Sequence, residues 1–327
     1  MDLRELGERA SIKRLREVLG TTDDLGRGED DCAVVPLGGG KVLLASTDVL
    51  IGPTHIFPGT PPEQFGAFAI EIAISDVAAM GGRPIGVLTA MAMPPETDIE
   101  WLRSVSAGMA KAAGEHGTTV LGGDTKSSPA RTVAVTAMGV MDEERCLYRR
   151  GGRSGDVLVL TGPLGGPALG YTMAKDSEGG YTPEALSLLY DIKARTDAGM
   201  ALAASGHATA CIDLSDGFAP ALHQMLEASG CGALVEWGSV FLAPGLSDLA
   251  TAQGLDIREL ALHWGGEYEL LAAVDPAGVD EVLTTLRGLG GDARLVGELA
   301  SGREILLVHD GSPAPLGPKG FDHFRGV

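Results

Sequence analysis

Basic residues are scarce in this chain. Twenty-five Lys and Arg stand against 44 Asp and Glu, a formal charge of −19 over 327 residues. So negative a protein is a poor partner for nucleic acid or an anionic membrane, and any polyphosphate it binds needs metal ions or local basic groups. Cysteine is also sparse. Cys32, Cys146, Cys211 and Cys231 form no C-x-x-C pair, and each sits in or beside an apolar segment, which reads as reduced thiols and not as a zinc or disulfide framework. The seven histidines show no H-E-x-x-H spacing. There is no G-x-x-x-x-G-K-[ST] loop, no G-x-G-x-x-G between a strand and a helix, and no G-x-S-x-G elbow. No apolar run has the length of a membrane span, and the N-terminus, amphipathic and charged, is unlike a signal peptide; a cytoplasmic location is the default expectation.

What the chain does have is acid in unusual places. Five short signatures recur against apolar segments or glycines: Glu29-Asp30-Asp31, Ser46-Thr47-Asp48, Ser75-Asp76, Gly122-Gly123-Asp124 and Asp213-Leu214-Ser215-Asp216. A carboxylate is costly to bury alone, so several of them beside apolar runs imply a shared positive partner. Hard oxygen donors with almost no His or Cys point to Mg²⁺ rather than zinc. Mg²⁺ is commonly held by a few carboxylates plus substrate phosphates, which leans toward nucleotide chemistry.

Length allows two domains, and 48 glycines punctuating short apolar runs favour a compact α/β or α+β enzyme. Helices are expected over 3–19, 63–80, 98–115, 165–174, 182–191, 197–205 and 218–228. Strands are expected near 32–35, 42–45, 85–93, 118–121, 132–141, 156–161, 208–212, 233–236, 269–274, 294–298 and 304–308. The segment 174–183 reads as a mobile surface loop. The basic, Gly-rich stretch Arg149–Gly155 is the best boundary, dividing the chain into residues 1–149 and 150–327. The fold class is α+β, with mixed sheets covered by helices.

The helix at 65–80 is apolar almost all round, which implies burial, so Asp76 needs a metal, a cation or several donors. Asp30 and Asp31 precede a strand and Asp48 is expected to follow one; ligand residues gather at strand ends, although Ser, Thr and Asp also favour plain turns. Gly122-Gly123-Asp124-Thr125 is expected as a turn after a strand, where glycines admit a phosphate to the backbone; a tight turn capped by Asp is the competing reading. Asp213 and Asp216 enter a helix whose N-terminus favours phosphate, with simple capping as the alternative. Arg149, Arg150 and Arg153 are candidates for phosphate contact or for interdomain salt bridges.

The ordered set of motifs resembles the family of ATP-binding enzymes that includes aminoimidazole ribonucleotide synthetase, selenophosphate synthetase, a hydrogenase maturation factor and thiamine-monophosphate kinase, and is nearest the last branch. The set comprises Glu-Asp-Asp-Cys-Ala-Val (29–34), Ser-Thr-Asp (46–48), His55, Ser-Asp-Val-Ala-Ala-Met-Gly (75–81), Gly-Gly-Asp-Thr (122–125), Arg-x-Gly (149–151), Ile-Asp-Leu-Ser-Asp-Gly (212–217), Gly-Gly-Glu-Tyr-Glu-Leu-Leu (265–271) and Gly-Phe-Asp-His-Phe (320–324). The resemblance covers nearly the whole chain. It implies two domains, with the N-terminal ones paired in a homodimer and ATP in a cleft near their interface. It implies Asp31, Ser46, Thr47, Asp48, Asp76, Asp124, Asp213 and Asp216 as Mg²⁺ ligands; Gly123, Asp124, Arg149 and Ser215 as ATP contacts; and His55, Glu267 and Phe321 as contacts to thiamine monophosphate. The implied reaction is direct transfer of the γ-phosphoryl group to the acceptor phosphate, with positioning and charge neutralisation as the catalytic means and no single side chain as catalyst.

The family's pattern is altered at several points. Glu29 replaces a Gly, Ile51-Gly52-Pro53-Thr54 precedes His55, Ala73-Ile74 precedes Ser75-Asp76, Glu71 adds an acid to the helix, and an Asp is missing between Glu267 and Tyr268. These changes fall mostly near the expected acceptor. A related kinase or synthetase with another small acceptor, and a non-catalytic nucleotide binder, therefore stay open as alternatives.

Overall fold

A computed structural model describes residues 2–19, 30–176, 181–321 and 324. The first half comprises α1 (Leu3–Leu6), α2 (Glu8–Leu19), β1 (Ala33–Gly38), β2 (Lys41–Ile51), α3 (Gly52–His55), α4 (Pro62–Ala79), β3 (Arg83–Met93), α5 (Ile99–Glu115), β4 (Val120–Ser127) and β5 (Thr132–Asp142). Its five strands form one mixed sheet in the order β1-β2-β5-β3-β4. Only β3 and β4 run parallel, and the connection between them is α5, the crossover a parallel pair requires. Asp98 caps α5 by accepting the Glu100 amide, as its position before the apolar run predicts.

The second half comprises β6 (Val157–Leu160), α6 (Gly166–Asp176), α7 (Pro183–Tyr190), α8 (Thr196–Ser205), β7 (Ala208–Asp213), α9 (Phe218–Ser229), β8 (Gly232–Glu236), α10 (Leu246–Gln253), α11 (Ile257–Leu262), β9 (Leu270–Val274), α12 (Val279–Gly288), β10 (Arg294–Ala300), β11 (Ile305–His309) and β12 (Ser312–Pro315). A seven-stranded mixed sheet in the order β12-β11-β8-β10-β6-β9-β7 is its frame.

The helix α4 decides how the halves meet. It packs on the first sheet and α5 on one side, and on α8 and β7 of the second half on the other. That double contact explains an apolar surface all round, with Phe65, Ile70, Ile74 and Val77 almost fully buried. One apolar core therefore runs from Val42, Leu44 and Val135 through α4 to Val159, Cys211 and Ala272 on the second sheet. A second core fills the other face of that sheet, under α6, α9, α10 and α11. The approach is close: a Cβ at Gly66 of α4 would lie 2.0 Å from the Val105 carbonyl oxygen of α5, and one at Gly199 of α8 would lie 2.0 Å from that of Ala78. Side chains at either glycine would push the layers apart.

Several expectations are corrected. Residues 3–19 are two helices, interrupted at Gly7 (φ 77°). Asp48 lies inside β2, which continues to Ile51, and Gly122–Thr125 lie inside β4 instead of in a turn. A Cβ at Gly123 would meet the Thr89 carbonyl oxygen at 1.9 Å, so glycine there permits strand pairing. Within 174–183, α6 continues to Asp176, and residues 177–180 lie outside the described ones, as do Glu29, Asp322 and His323. The helices α10 to α12 and the strand β12 carry no motif that singled them out in the sequence.

Candidate functional site

Three of the five acidic signatures converge where the two halves touch. Carboxylate oxygens of Asp31, Asp76 and Asp213 lie within 4.8 Å of one another. Asp31 comes from the segment before β1, Asp76 from the last turn and a half of α4, and Asp213 from the end of β7. Hydroxyls brace them: Ser46 of β2 donates to Asp76 in a short hydrogen bond, and Ser75 donates to Asp213 at 2.7 Å. The second bond crosses between the halves and uses the residue adjacent to Asp76.

Asp48 and Asp216 complete the electrostatics. In β2, Val42, Leu44 and Leu50 face the core, and the two-residue period places Ser46 and Asp48 on that same face. Burial, followed by repulsion from Asp216, raises the Asp48 carboxyl to about 6. Burial and the neighbouring Asp31 raise Asp213 to about 8, and burial with Asp48, Asp213 and Asp31 drives Asp76 well above the ordinary carboxylate range. These shifts share one physical origin, negative charge crowded into a low-dielectric place.

The cluster fits a hard divalent cation. All its donors are oxygens, and buried oxygens of Asp31 (Oδ2) and Asp48 (Oδ2) have no hydrogen-bond partner among the described residues. Cys32 and Cys211 lie nearby, but burial and the same carboxylates hold their thiols far above the range in which a thiolate forms. They are core residues.

Other expected ligands stand apart. The Thr47 side chain is on the opposite face of β2, donating to the Val135 carbonyl at 3.3 Å and accepting from Thr136 at 3.1 Å. Asp124 is exposed on the edge strand β4, and its carboxyl is held below the usual range by Lys126, whose Nζ is 3.1 Å away, and by the Thr125 amide. Arg149 is committed within the protein. Its guanidinium donates to Asp31 at 2.7 Å and to Gln224 at 2.7 Å, while its amide donates to Asp30 at 2.6 Å. Arg150 stacks over the Tyr148 ring at 4.6 Å.

On the acceptor side, Glu267 is buried. One carboxylate oxygen accepts from the Gly165 amide at 3.0 Å, the other has no partner among the described residues, and burial lifts the acid to about 7. His55 closes α3, its Nδ1 2.7 Å from the Thr54 hydroxyl. Its carbonyl accepts from Tyr190 at 2.7 Å, which ties it to the second half. The terminal segment returns to the site: the Phe321 amide reaches the Asp216 carbonyl at 3.5 Å. Ser215 is exposed at the head of the loop leading into α9.

A polar clamp beside the site escaped sequence reasoning. Glu71 of α4 does not join the acidic cluster. Its Oε2 accepts from the Ala194 amide at 2.7 Å and pairs with His116 Nε2 at 2.8 Å, with both side chains almost fully buried. The next residue, Arg195, makes a forked pair with Glu269, which also accepts from Thr161 at 2.7 Å. An acid on an otherwise apolar helix was the available signal; its partner, 45 residues away, was not.

Comparison with known proteins matches residues 29–141 to the AIR synthase related protein, N-terminal domain, and residues 153–309 to the AIR synthase related protein, C-terminal domain. A thiamine-monophosphate kinase of Synechococcus elongatus is 30% identical, with 98% of each chain covered. One from Escherichia coli K12 is 30% identical over 92% of each. The solved structure of AaThiL complexed with AMPPCP and TMP superposes with a TM-score of 0.85 at 26% identity, covering 99% of both chains.

Proposed function

The chain belongs to the AIR synthase related protein family, and on that premise we propose that it is an ATP- and Mg²⁺-dependent kinase that phosphorylates thiamine monophosphate to thiamine diphosphate. The observation that carries this reading is the cluster of Asp31, Asp76 and Asp213, drawn from both halves, with unpartnered buried oxygens at its rim. A pure binding protein has no need of so many mutually repelling acids at one place. The thiamine-monophosphate kinases that are 30% identical to the chain over 92–98% of its length supply the acceptor.

In this reading, Asp31, Asp76, Asp213, Asp48 and Asp216 hold Mg²⁺ together with Ser46, while the Thr47 and Asp124 side chains, which the resemblance also implied as ligands, lie apart from that group. Bound Mg²⁺ offsets the repulsion between two phosphorylated reactants. The chain's own groups orient them. Gly123, on the edge strand β4, and Ser215, exposed before α9, contact the nucleotide. Arg149 fixes Asp31 with one of its five N–H donors and keeps others for phosphate. Glu267, His55 and Phe321 surround the acceptor. Burial raises the Glu267 carboxyl to about 7, and its Oε2, without a partner among the described residues, is free to meet a polar group of the acceptor. Residues 1–149 form the nucleotide and metal domain, and 150–327 the second domain.

The protein acts as a homodimer through the first sheet in this proposal. The face of that sheet away from α4 exposes Val49, Ile51, Ile85, Leu88 and Leu121, an apolar surface of the kind that pairs with a copy of itself. Among the described residues no helix is long and apolar enough to cross a membrane, and we place the enzyme in the cytoplasm.

The test is incubation with ATP, Mg²⁺ and thiamine monophosphate, followed by chromatography for thiamine diphosphate and ADP. Stoichiometric appearance of both supports the reading. Tight Mg–ATP binding without the diphosphate would transfer the proposal to another acceptor.

A further inference from the structure

Tyr268 is one of two non-glycine residues with positive φ among the described residues, at 51°. A bulky residue in the left-handed region is strained, and such strain persists where the surroundings over-determine it, commonly at functional sites. The surroundings here are specific. Gly265 and Gly266 precede Tyr268 with φ of 93° and 90°, and a Cβ at Gly265 would sit 2.5 Å from the Ser215 carbonyl oxygen. The Gly266 amide donates to Ser215 at 2.7 Å, the Tyr268 amide to Leu214 at 3.0 Å, and the Leu214 amide returns to Glu269 at 2.9 Å. The backbone of 265–269 is thus locked onto the loop that carries Asp213 and Asp216.

The ring is aimed by this lock. It packs edge-on against Phe68 of α4, with centroids 6.2 Å apart. The backbone bonds from Tyr268 to Leu214 and from Gly266 to Ser215 hold the residue beside the loop of Asp213 and Asp216, and burial followed by Asp48, Asp213, Asp216 and Asp76 raises the phenol well above its ordinary range. Yet it makes no hydrogen bond to any other described residue. A phenol hydroxyl, held at a backbone cost and without a partner among the described residues, is suited to an oxyanion that arrives with substrate.

We propose that the Tyr268 hydroxyl is a catalytic hydrogen-bond donor to an oxygen of the phosphoryl group in transfer. This rests on the kinase reading above. In the step, an oxygen of the acceptor phosphate forms a bond to the γ-phosphorus, and the bond from that phosphorus to the β–γ bridging oxygen breaks. The electron pair leaves with ADP, and Tyr268 keeps its proton throughout.

The experiment compares wild type with Tyr268→Phe, which retains the ring and its contact with Phe68. The variant is expected to lose roughly 10- to 100-fold in kcat. KM for thiamine monophosphate, calorimetric Kd for Mg–AMPPCP and Tm should all hold, the two constants within about threefold, since only an interaction made in the transition state is removed. A kcat within twofold of wild type overturns the proposal. So does a kcat loss accompanied by an equal weakening of AMPPCP binding, the mark of a structural role. If wild type itself makes no thiamine diphosphate, the kinase reading fails and this proposal with it; an active wild type beside an equally active variant refutes the role of Tyr268 alone.

Discussion

Replacing Asp48 with Asn should stabilise the metal-free protein while abolishing its activity. In the folded chain the carboxyl titrates at about 6 against an ordinary 3.8, a rise of 6 − 3.8, about 2 units, caused by burial and then by Asp216. A carboxylate raised on folding penalises the fold when ionised. The penalty is absent below pH 3.8, grows through the window up to about 6 and is complete above it. At 1.36 kcal/mol per unit it amounts to at most about 3 kcal/mol at pH 7.5 and roughly half that at pH 5. Water penetration at a partly exposed group lowers the figure, so about 1–3 kcal/mol is expected, or very roughly 3–8 °C in Tm. Asn keeps the shape and removes the charge. The assay is thermal unfolding in EDTA at pH 7.5 and pH 5, repeated with Mg²⁺. Wild type should gain stability from Mg²⁺ by mass action and the variant much less. A variant less stable than wild type in EDTA at pH 7.5, or a gap that does not narrow toward pH 5, would refute the reasoning.

Asp76→Asn should abolish phosphoryl transfer with the fold intact by circular dichroism; full turnover would remove Asp76 from the ligand set. Glu71→Ala should cost about 3–5 kcal/mol in urea unfolding, because it strands His116 and the Ala194 amide in the interior; a loss under 1 kcal/mol would show that the clamp carries no weight. Gly123→Ala should weaken nucleotide binding by calorimetry and cost about 1–3 kcal/mol, because its Cβ would collide with the Thr89 carbonyl across the β3–β4 pair; unchanged affinity and stability would contradict the importance of that close approach.

The acids were legible in the sequence because a carboxylate among apolar residues is costly to bury; Asp76 and Asp213 stood out on that ground beside a competing capping reading, and the family resemblance supplied their expected role as ligands. Their convergence was legible only as an expectation, since periodicity reports which face a residue takes and not which distant segment it meets. Asp48 and Gly123 were assigned to strand ends and turns because Ser, Thr, Asp and Gly favour turns locally; ladder pairing with β5 and β3 overrode that preference. Arg149 was readable as a cation near phosphate, but not as the partner of Asp31, and Glu71 was readable as an odd acid, but not as the partner of His116. Backbone strain at Tyr268 left no trace in composition, because tyrosine is not a residue that announces positive φ.

The clamp and the cluster together explain how a site that repels itself stays assembled. Asp31 and Asp76 belong to the first half and Asp213 to the second, so ionisation of the cluster pushes the halves apart. Against this, the Glu71–Ala194, His116–Thr196 and Ser75–Asp213 hydrogen bonds cross the same boundary, and the core around α4 is continuous through it. None of these contacts requires the metal. The ligands are therefore held near one another before a cation arrives, and binding does not have to draw two domains together. The cost of the crowded charge is borne by the metal-free protein, as raised carboxyl pKa values, and is returned as affinity when the cation neutralises it. A cation site preorganised in this way gives positioning, which is the main contribution a protein makes to phosphoryl transfer.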